Sequence, residues 1–212
     1  LVTAFLIQKQ SSYSLSFLGA IMTVTAVQIC NIALAKIGSD SFITSFTDDT
    51  KSARHCSIFY GPIRDSLLRS HLWRFARKQY QLAPLVTEPL FDGGYYFQKP
   101  ADCLRVVQPD ENYFAMYGRW SIEGDKILAD TNLLNIVGIQ QVTDETFFDA
   151  IFVEAFATKL AHELCLPLAQ SESLKATFKQ DMREIIIRAA HVGATEQDSQ
   201  KFIAETLIMA HS

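Results

Sequence analysis

The spacing of apolar residues along the chain changes character twice. From Thr23 the stretch TVTAVQICNIALAKIGSD places Val24, Val27, Leu34 and Ile37 at helical spacing, with Ile29 and Cys30 between them. That periodicity predicts an amphipathic helix. Gly38 stands where a glycine just past the last turn would end it. A loop with Phe42, Ile43 and Phe46 follows, and TDDT (47–50) then offers N-cap side chains. Its acids suit the positive end of a helix dipole. Ala53, Cys56, Phe59, Tyr60, Ile63, Leu67 and Leu68 predict a second helix running toward Trp73. Gly61-Pro62 is expected to kink that helix or divide it in two.

Beyond Lys78 the period shortens and turn residues crowd in. Between Gln79 and Gln141 lie Pro84, Pro89, Asp92-Gly93-Gly94, Pro100, Pro109, Gly118 and Gly124-Asp125. They separate short β-type runs: QYQLAPL, YYFQK, CLRVVQ, YFAMY, RWSIE, KILA and NIVGIQQV. Residues 121–128, SIEGDKIL, read as a hairpin with Gly-Asp at its tip. This block predicts a small antiparallel sheet or sandwich.

Helical spacing returns at Thr143. Residues 146–149, TFFD, have the outline of a capping box, with Asp in place of the usual Glu. Phe148, Ile151, Phe152, Ala155, Phe156, Leu160, Ala161 and Leu164 form a stripe wide enough for the central member of a bundle, closed by Pro167. Ser171 can cap a last long helix carrying Leu174, Phe178, Met182, Ile185, Ile186 and Ala189, with Gly193 at its end. After the polar linker TEQDSQ, Phe202, Ile203, Leu207 and Ile208 recur at a further helical period.

The fold class expected is therefore α+β: a helical bundle with a small antiparallel β domain inserted between its second and third main helices. The divisions are an N-terminal extension (1–22), a discontinuous helical domain (23–78 and 143–193), the inserted β domain (79–142) and a C-terminal tail (194–212). Residues 1–21 carry one charge, Lys9, and precede Met22. Their apolar run LVTAFLI comes first instead of following a basic start, so a secretory signal does not fit. QKQSS interrupts any membrane span. Met22 is the expected start of the working protein, and the product is expected to be soluble.

Composition narrows the chemistry. Of 212 residues 49% are hydrophobic, enough for a sizeable core and against intrinsic disorder. Cys30, Cys56, Cys103 and Cys165 include no CxxC pair, which removes zinc-finger and thioredoxin-like readings and fits small buried hydrophobes in a reducing compartment. His162-Glu163 opens an HExxH pattern, but position 166 is Leu, so two imidazoles never share a helical face. His55 and Cys56 are adjacent, and neighbours on a helix do not face each other. There is no GxSxG, P-loop or GxGxxG. No enzyme chemistry, metal or cofactor is implied.

Charge is distributed unevenly. The formal charge is −4, yet residues 51–78 hold Lys51, Arg54, Arg64, Arg69, Arg74, Arg77 and Lys78 against Asp65 alone. Residues 84–149 hold eleven acids against Lys99, Arg105, Arg119 and Lys126. The segments thus carry +6 and −7. One account is a solvated basic face matched within the molecule to the acidic block. A second is opposite-charge surfaces that join neighbouring copies head to tail, a heterologous contact that closes into a ring when the rotation permits. A third is DNA binding by the basic helix, which the net charge opposes.

Five pieces of the chain, in order, carry a family resemblance: ICNIALAKIG, DDTKSARHC, YGPIRDSLLRSHLWRFA, PADCLRVV and VTDETFFDAIFVEAFATKLAHELCLPL. Together they resemble the tail tubular protein A family, the head-to-tail adaptor or connector proteins of short-tailed phages, over roughly residues 23–193. The resemblance implies a non-enzymatic structural protein of the virion neck, assembled in the host cytoplasm. It implies a dodecameric ring between the portal protein and a tail nozzle resembling tail tubular protein B. Genomic DNA would pass through without sequence-specific binding, and no membrane would be involved. Candidate subunit or portal interface residues are Arg54, Arg64, Arg69, Arg74 and Arg77, with Phe202, Ile203, Leu207 and Ile208 as a portal-docking segment. The acidic block is expected to line the channel so that DNA slides. The alternative function is a DNA-binding or packaging-regulatory protein using residues 51–78.

Overall fold

The computed structural model describes residues 24–91, 93–109 and 120–195. The N-terminal extension, the run YFAMY and the tail positions Phe202, Ile203, Leu207 and Ile208 lie outside the described residues.

Helix α1 (Ala26–Lys36) is bounded at both ends by local chemistry. Thr25 and Gln28 form a reciprocal capping box, Thr25 Oγ1 accepting from the Gln28 amide and Gln28 Oε1 from the Thr25 amide at 2.8 Å. At the other end Gly38 adopts φ +73°, its amide donating to Ala35 O and that of Ser39 to Leu34 O, both at 3.0 Å. This is a Schellman stop, and it needs a residue free to enter the left-handed region. Helix α2 (Lys51–Ser70) starts at Thr50, whose hydroxyl oxygen accepts from the Ala53 amide at 3.1 Å.

The expected division of α2 at Gly61-Pro62 does not occur: one helix of 20 residues runs through Pro62. Proline removes a single N–H, which would have reached the carbonyl of Ile58. Both Pro62 and Ile58 are exposed, so water can serve that carbonyl.

Strand β1 (Arg77–Leu82) follows a single 3₁₀ turn at Arg74–Ala76, two residues earlier than the expected boundary at Gln79. Five more strands follow: β2 (Tyr95–Gln98), β3 (Cys103–Pro109), β4 (Trp120–Glu123), β5 (Lys126–Ala129) and β6 (Leu134–Gln140). They form two three-stranded antiparallel sheets, ordered β1-β6-β3 and β2-β5-β4. The predicted hairpin is β4–β5, joined through Gly124-Asp125 with Glu123 opposite Lys126.

The central strand of the first sheet, β6, is buried on both faces from Ile136 to Ile139. On β6, Leu134 and Ile136 join Phe97, Ile127 and Ala129 of the second sheet in a small β core, while Ile139 faces the helices. Gly138 makes the close packing feasible. A Cβ there would lie 2.7 Å from Cys103 Sγ and 3.2 Å from the Arg105 carbonyl oxygen. The strand block is therefore inserted in sequence between two helices, yet in space one of its sheets belongs to both cores.

The return to helix also differs from the expectation. No capping box forms at 146–149. Glu145–Phe147 is a 3₁₀ turn capped by Asp144, and Asp149 caps α3 (Ala150–Leu164), accepting from the Ile151 amide at 2.8 Å. The extended residue between, Phe148, turns its ring toward Phe75 (5.8 Å between centroids) and Phe152 (4.8 Å). Packing of that ring outweighs one more turn of helix. Helix α3 is the centre of the bundle and packs on every other described helix. A π-type turn at Cys165–Ala169, containing Pro167, ends it, and Gln170 at φ 51° reverses the chain.

The final helix, α4 (Glu172–Thr195), begins at Ser171, whose Oγ accepts from the Leu174 amide at 3.3 Å. Gly193 was expected to stop it, but the helix continues to Thr195. Gly193 is not among the glycines with positive φ, and its carbonyl accepts from Arg74 Nη2 at 3.0 Å. Glycine ends a helix only where the chain takes the left-handed turn, and here it does not.

Candidate interaction surfaces

The five arginines of the basic stretch have separate environments. Arg54 pairs with Asp49 at 3.1 Å, both well exposed, an arrangement worth little in water. Arg64 is different. Its side chain is 13% exposed and Nε donates to Asp65 Oδ1 at 2.9 Å, while the other oxygen of Asp65 accepts from Gln141 Nε2 at 2.7 Å. This chain of bonds ties α2 to the segment after β6. Arg69 Nη1 donates to the Leu104 carbonyl on β3 at 3.0 Å. Arg74 reaches Gly193 near the end of α4. Arg77 is exposed at the start of β1, opposite Ile139 in the register. Arg64, Arg69 and Arg74 thus brace the junction between helices and strands, a use that spacing alone did not reveal.

Several acids of the block 84–149 are likewise engaged internally. Asp102 binds Lys78 Nζ at 2.8 Å, and that ammonium holds its carboxyl below the usual carboxylate range. Glu145 accepts from Tyr60 Oη at 2.9 Å, and burial together with that carboxylate pushes the Tyr60 phenol up. Glu123 accepts from Tyr96 Oη at 2.8 Å, and Asp125 from Gln98 Nε2. Asp144 and Asp149 are caps. Among these contacts the Lys78–Asp102 ion pair joins the basic stretch to the acidic block; the other acids named bond to neutral groups and keep their charge.

Apolar surface is the signal sequence reasoning missed. In the connection between β1 and β2, Val86, Leu90 and Phe91 are 101%, 87% and 80% exposed. The base of this loop is fixed by the Leu85 amide donating to Tyr96 O at 2.7 Å and by a bridge between Pro84 and Phe97. The available clue was three large apolar residues among Pro84, Pro89 and Gly93-Gly94, too irregular for either period. Scattered exposed apolar residues are ordinary, whereas three on one loop make it a candidate interaction surface. A shallow groove on the outer face of α1, lined by Val24, Gln28, Asn31, Ile32 and Ala35, is a second apolar surface.

The four cysteines are free and buried. Cys30 of α1 and Cys56 of α2 are both fully buried, with their sulfurs in contact, and that contact with burial pushes the Cys30 thiol up. His162 Nδ1 lies 3.1 Å from Glu163 Oε1. Among the described residues no group of three or more His, Cys, Asp or Glu side chains could hold a metal ion. Among them, too, no helix is long and apolar enough to cross a membrane.

No protein-family model matches the chain, and no curated protein is significantly similar to it.

Proposed function

We propose that this chain is a head-to-tail adaptor of a short-tailed phage, one subunit of a ring that sits between portal and tail nozzle and continues the DNA channel. The observation that carries the reading is the ordered series of five sequence pieces at 29–38, 48–56, 60–76, 100–107 and 142–168. Each coincides with a structural unit. They are α1 with its Schellman stop, the capped start of α2, the rest of α2 with the Trp73 anchor, β3, and α3 with the turn beyond it. The architecture described above, helices with strands inserted between the second and third, is also the one the resemblance implies, and it supports the reading. In this role the subunit needs recognition surfaces and no reaction chemistry.

The tail residues Phe202, Ile203, Leu207 and Ile208 are the segment proposed to dock on the portal, as an amphipathic helix docks in a groove. DNA binding by residues 51–78 is disfavoured, because Arg54 and Arg64 are paired with carboxylates and Arg74 donates to the Gly193 carbonyl. The test is to mix the purified chain with its portal and image the product. A ring on the portal is expected, and loss of attachment on deleting residues 197–212. A chain that ignores the portal, or that binds duplex DNA in a salt-sensitive way as an isolated subunit, would overturn the proposal.

A further inference from the structure

Where α2 meets β3, two arginines reach across in opposite directions, and neither pairs with a carboxylate among the described residues. Arg69 Nη1 donates to the Leu104 carbonyl at 3.0 Å, and Arg105 Nη1 donates back to the Arg69 carbonyl at 3.3 Å. The acid one turn earlier, Asp65, is occupied by Arg64 and Gln141. The Arg69 carbonyl belongs to the open end of α2, whose dipole supplies only about half an elementary negative charge. The pair therefore keeps a net positive charge. Arg77 adds to it, standing in the same row of the sheet across Ile139. His71 beside them carries its pKa below the usual value, through burial and the Arg105 charge. Leu72, next along, is an exposed large apolar side chain. The result is a cationic seat with an apolar rim.

The acidic block contains one complementary element. Asp102, Glu123, Asp125, Asp144, Glu145 and Asp149 each have a bond within the chain, as given above, and Asp130 is also engaged. Among the described residues of that block, Glu88 is the acid with no such partner. It stands on the 83–94 loop, between the bare side chains of Val86 and of Leu90 and Phe91. One loop thus presents a carboxylate flanked by three apolar groups. The α2–β3 junction presents two guanidinium groups that donate to backbone carbonyls and to no carboxylate among the described residues, with Leu72 exposed two residues beyond the end of α2.

We propose that the seat formed by Arg69 and Arg105 takes Glu88 of a second copy of this chain, with Val86, Leu90 and Phe91 packing around it. The contact is heterologous, so it propagates from copy to copy and closes where the rotation permits. It deepens the adaptor reading by naming the contact that joins ring subunits, and it rests on that reading only for its biological setting.

The test is self-association of the full chain without portal, measured by sedimentation velocity at low and high salt. Association that weakens with salt is expected. Glu88→Arg should weaken it about tenfold, as should the double variant R69E/R105E, and combining all three changes should restore it. The pattern is that of a charge swap across one contact. Because Arg105 also braces the end of α2, thermal melts accompany the R69E/R105E variant. Phe91→Ser, on an exposed loop, should weaken association with an unchanged melting curve. The proposal falls if the chain does not self-associate, if Glu88→Arg leaves association unchanged, or if the triple variant fails to restore it. It also falls if R69E/R105E abolishes retention on duplex DNA while association persists. Failure of the adaptor reading looks different: swap-sensitive association would remain, but no ring would form on the portal.

Discussion

The helical core and the strand block solve the problem of exposed surface in opposite ways. In the helices, large rings are turned inward and held against one another: Phe152 packs on Trp73 and Phe75 at 5.0 Å each and on Phe156 at 5.8 Å. Trp73 Nε1 is satisfied by the Leu67 carbonyl at 2.9 Å. In the strand block, the buried set is smaller, and Val86, Leu90 and Phe91 stand in solvent. A region that keeps its apolar groups inside defines a stable body, while a region that leaves them outside is where a partner can gain free energy by covering them. The contrast is one of degree, since Ile58 and Ile187 on the helices are also exposed, but the three most exposed apolar side chains stand together on the β1–β2 connection.

The contrast is broken most severely at the centre of the bundle. Phe152→Ala should cost about 3–5 kcal/mol, since the ring is fully buried and its aromatic neighbours cannot all collapse into the space. Denaturant unfolding with an unchanged slope would show it, and a loss under 1 kcal/mol would mean the two cores are less distinct than argued. A smaller effect is expected where the cores share a sheet. Gly138→Ala would force β3 and β6 apart against Cys103 Sγ and the Arg105 carbonyl. That is overpacking, worth about 1–3 kcal/mol, and thermal melts would report it.

The smallest effect concerns the junction. The folded-state pKa of Asp102 is lowered, first by its hydrogen bond from Lys78, so the stability it contributes is present above the ordinary carboxylate pKa. That contribution is lost as pH falls through the depressed value. With side chains 46% and 42% exposed, the pair contributes under about 1 kcal/mol. Asp102→Asn should therefore be slightly less stable at neutral pH and converge with the unsubstituted chain in acid. A constant difference across pH would remove the ion pair from the account.

Much of the fold was legible because its signals are local. The stop at Gly38, the cap at Thr50, the 121–128 hairpin and the start at Ser171 each depend on residues within a few positions of one another. The misreadings share a cause. Pro62, residues 146–149 and Gly193 carry the right local signal for a break, a box or a stop, and surroundings decided otherwise. Those surroundings were the solvent exposure of Ile58 and Pro62, an aromatic cluster around Phe148, and a guanidinium from a distant segment. Of the candidate site, the basic stretch was legible as charge, but Arg105 and Glu88 were not singled out. Whether a charge is free depends on its neighbours in space.

The sequence by itself therefore determined the elements, their order, the mixed α+β class and the segregation of charge, because periodicity and capping act within a turn or two of chain. Only the tertiary structure decided that a sheet is shared between two cores and that Arg64 and Arg74 serve as braces. It also decided that Val86, Leu90 and Phe91 stay outside. Burial and pairing are properties of what long-range packing brings within a few ångströms, and no short stretch of sequence contains that information.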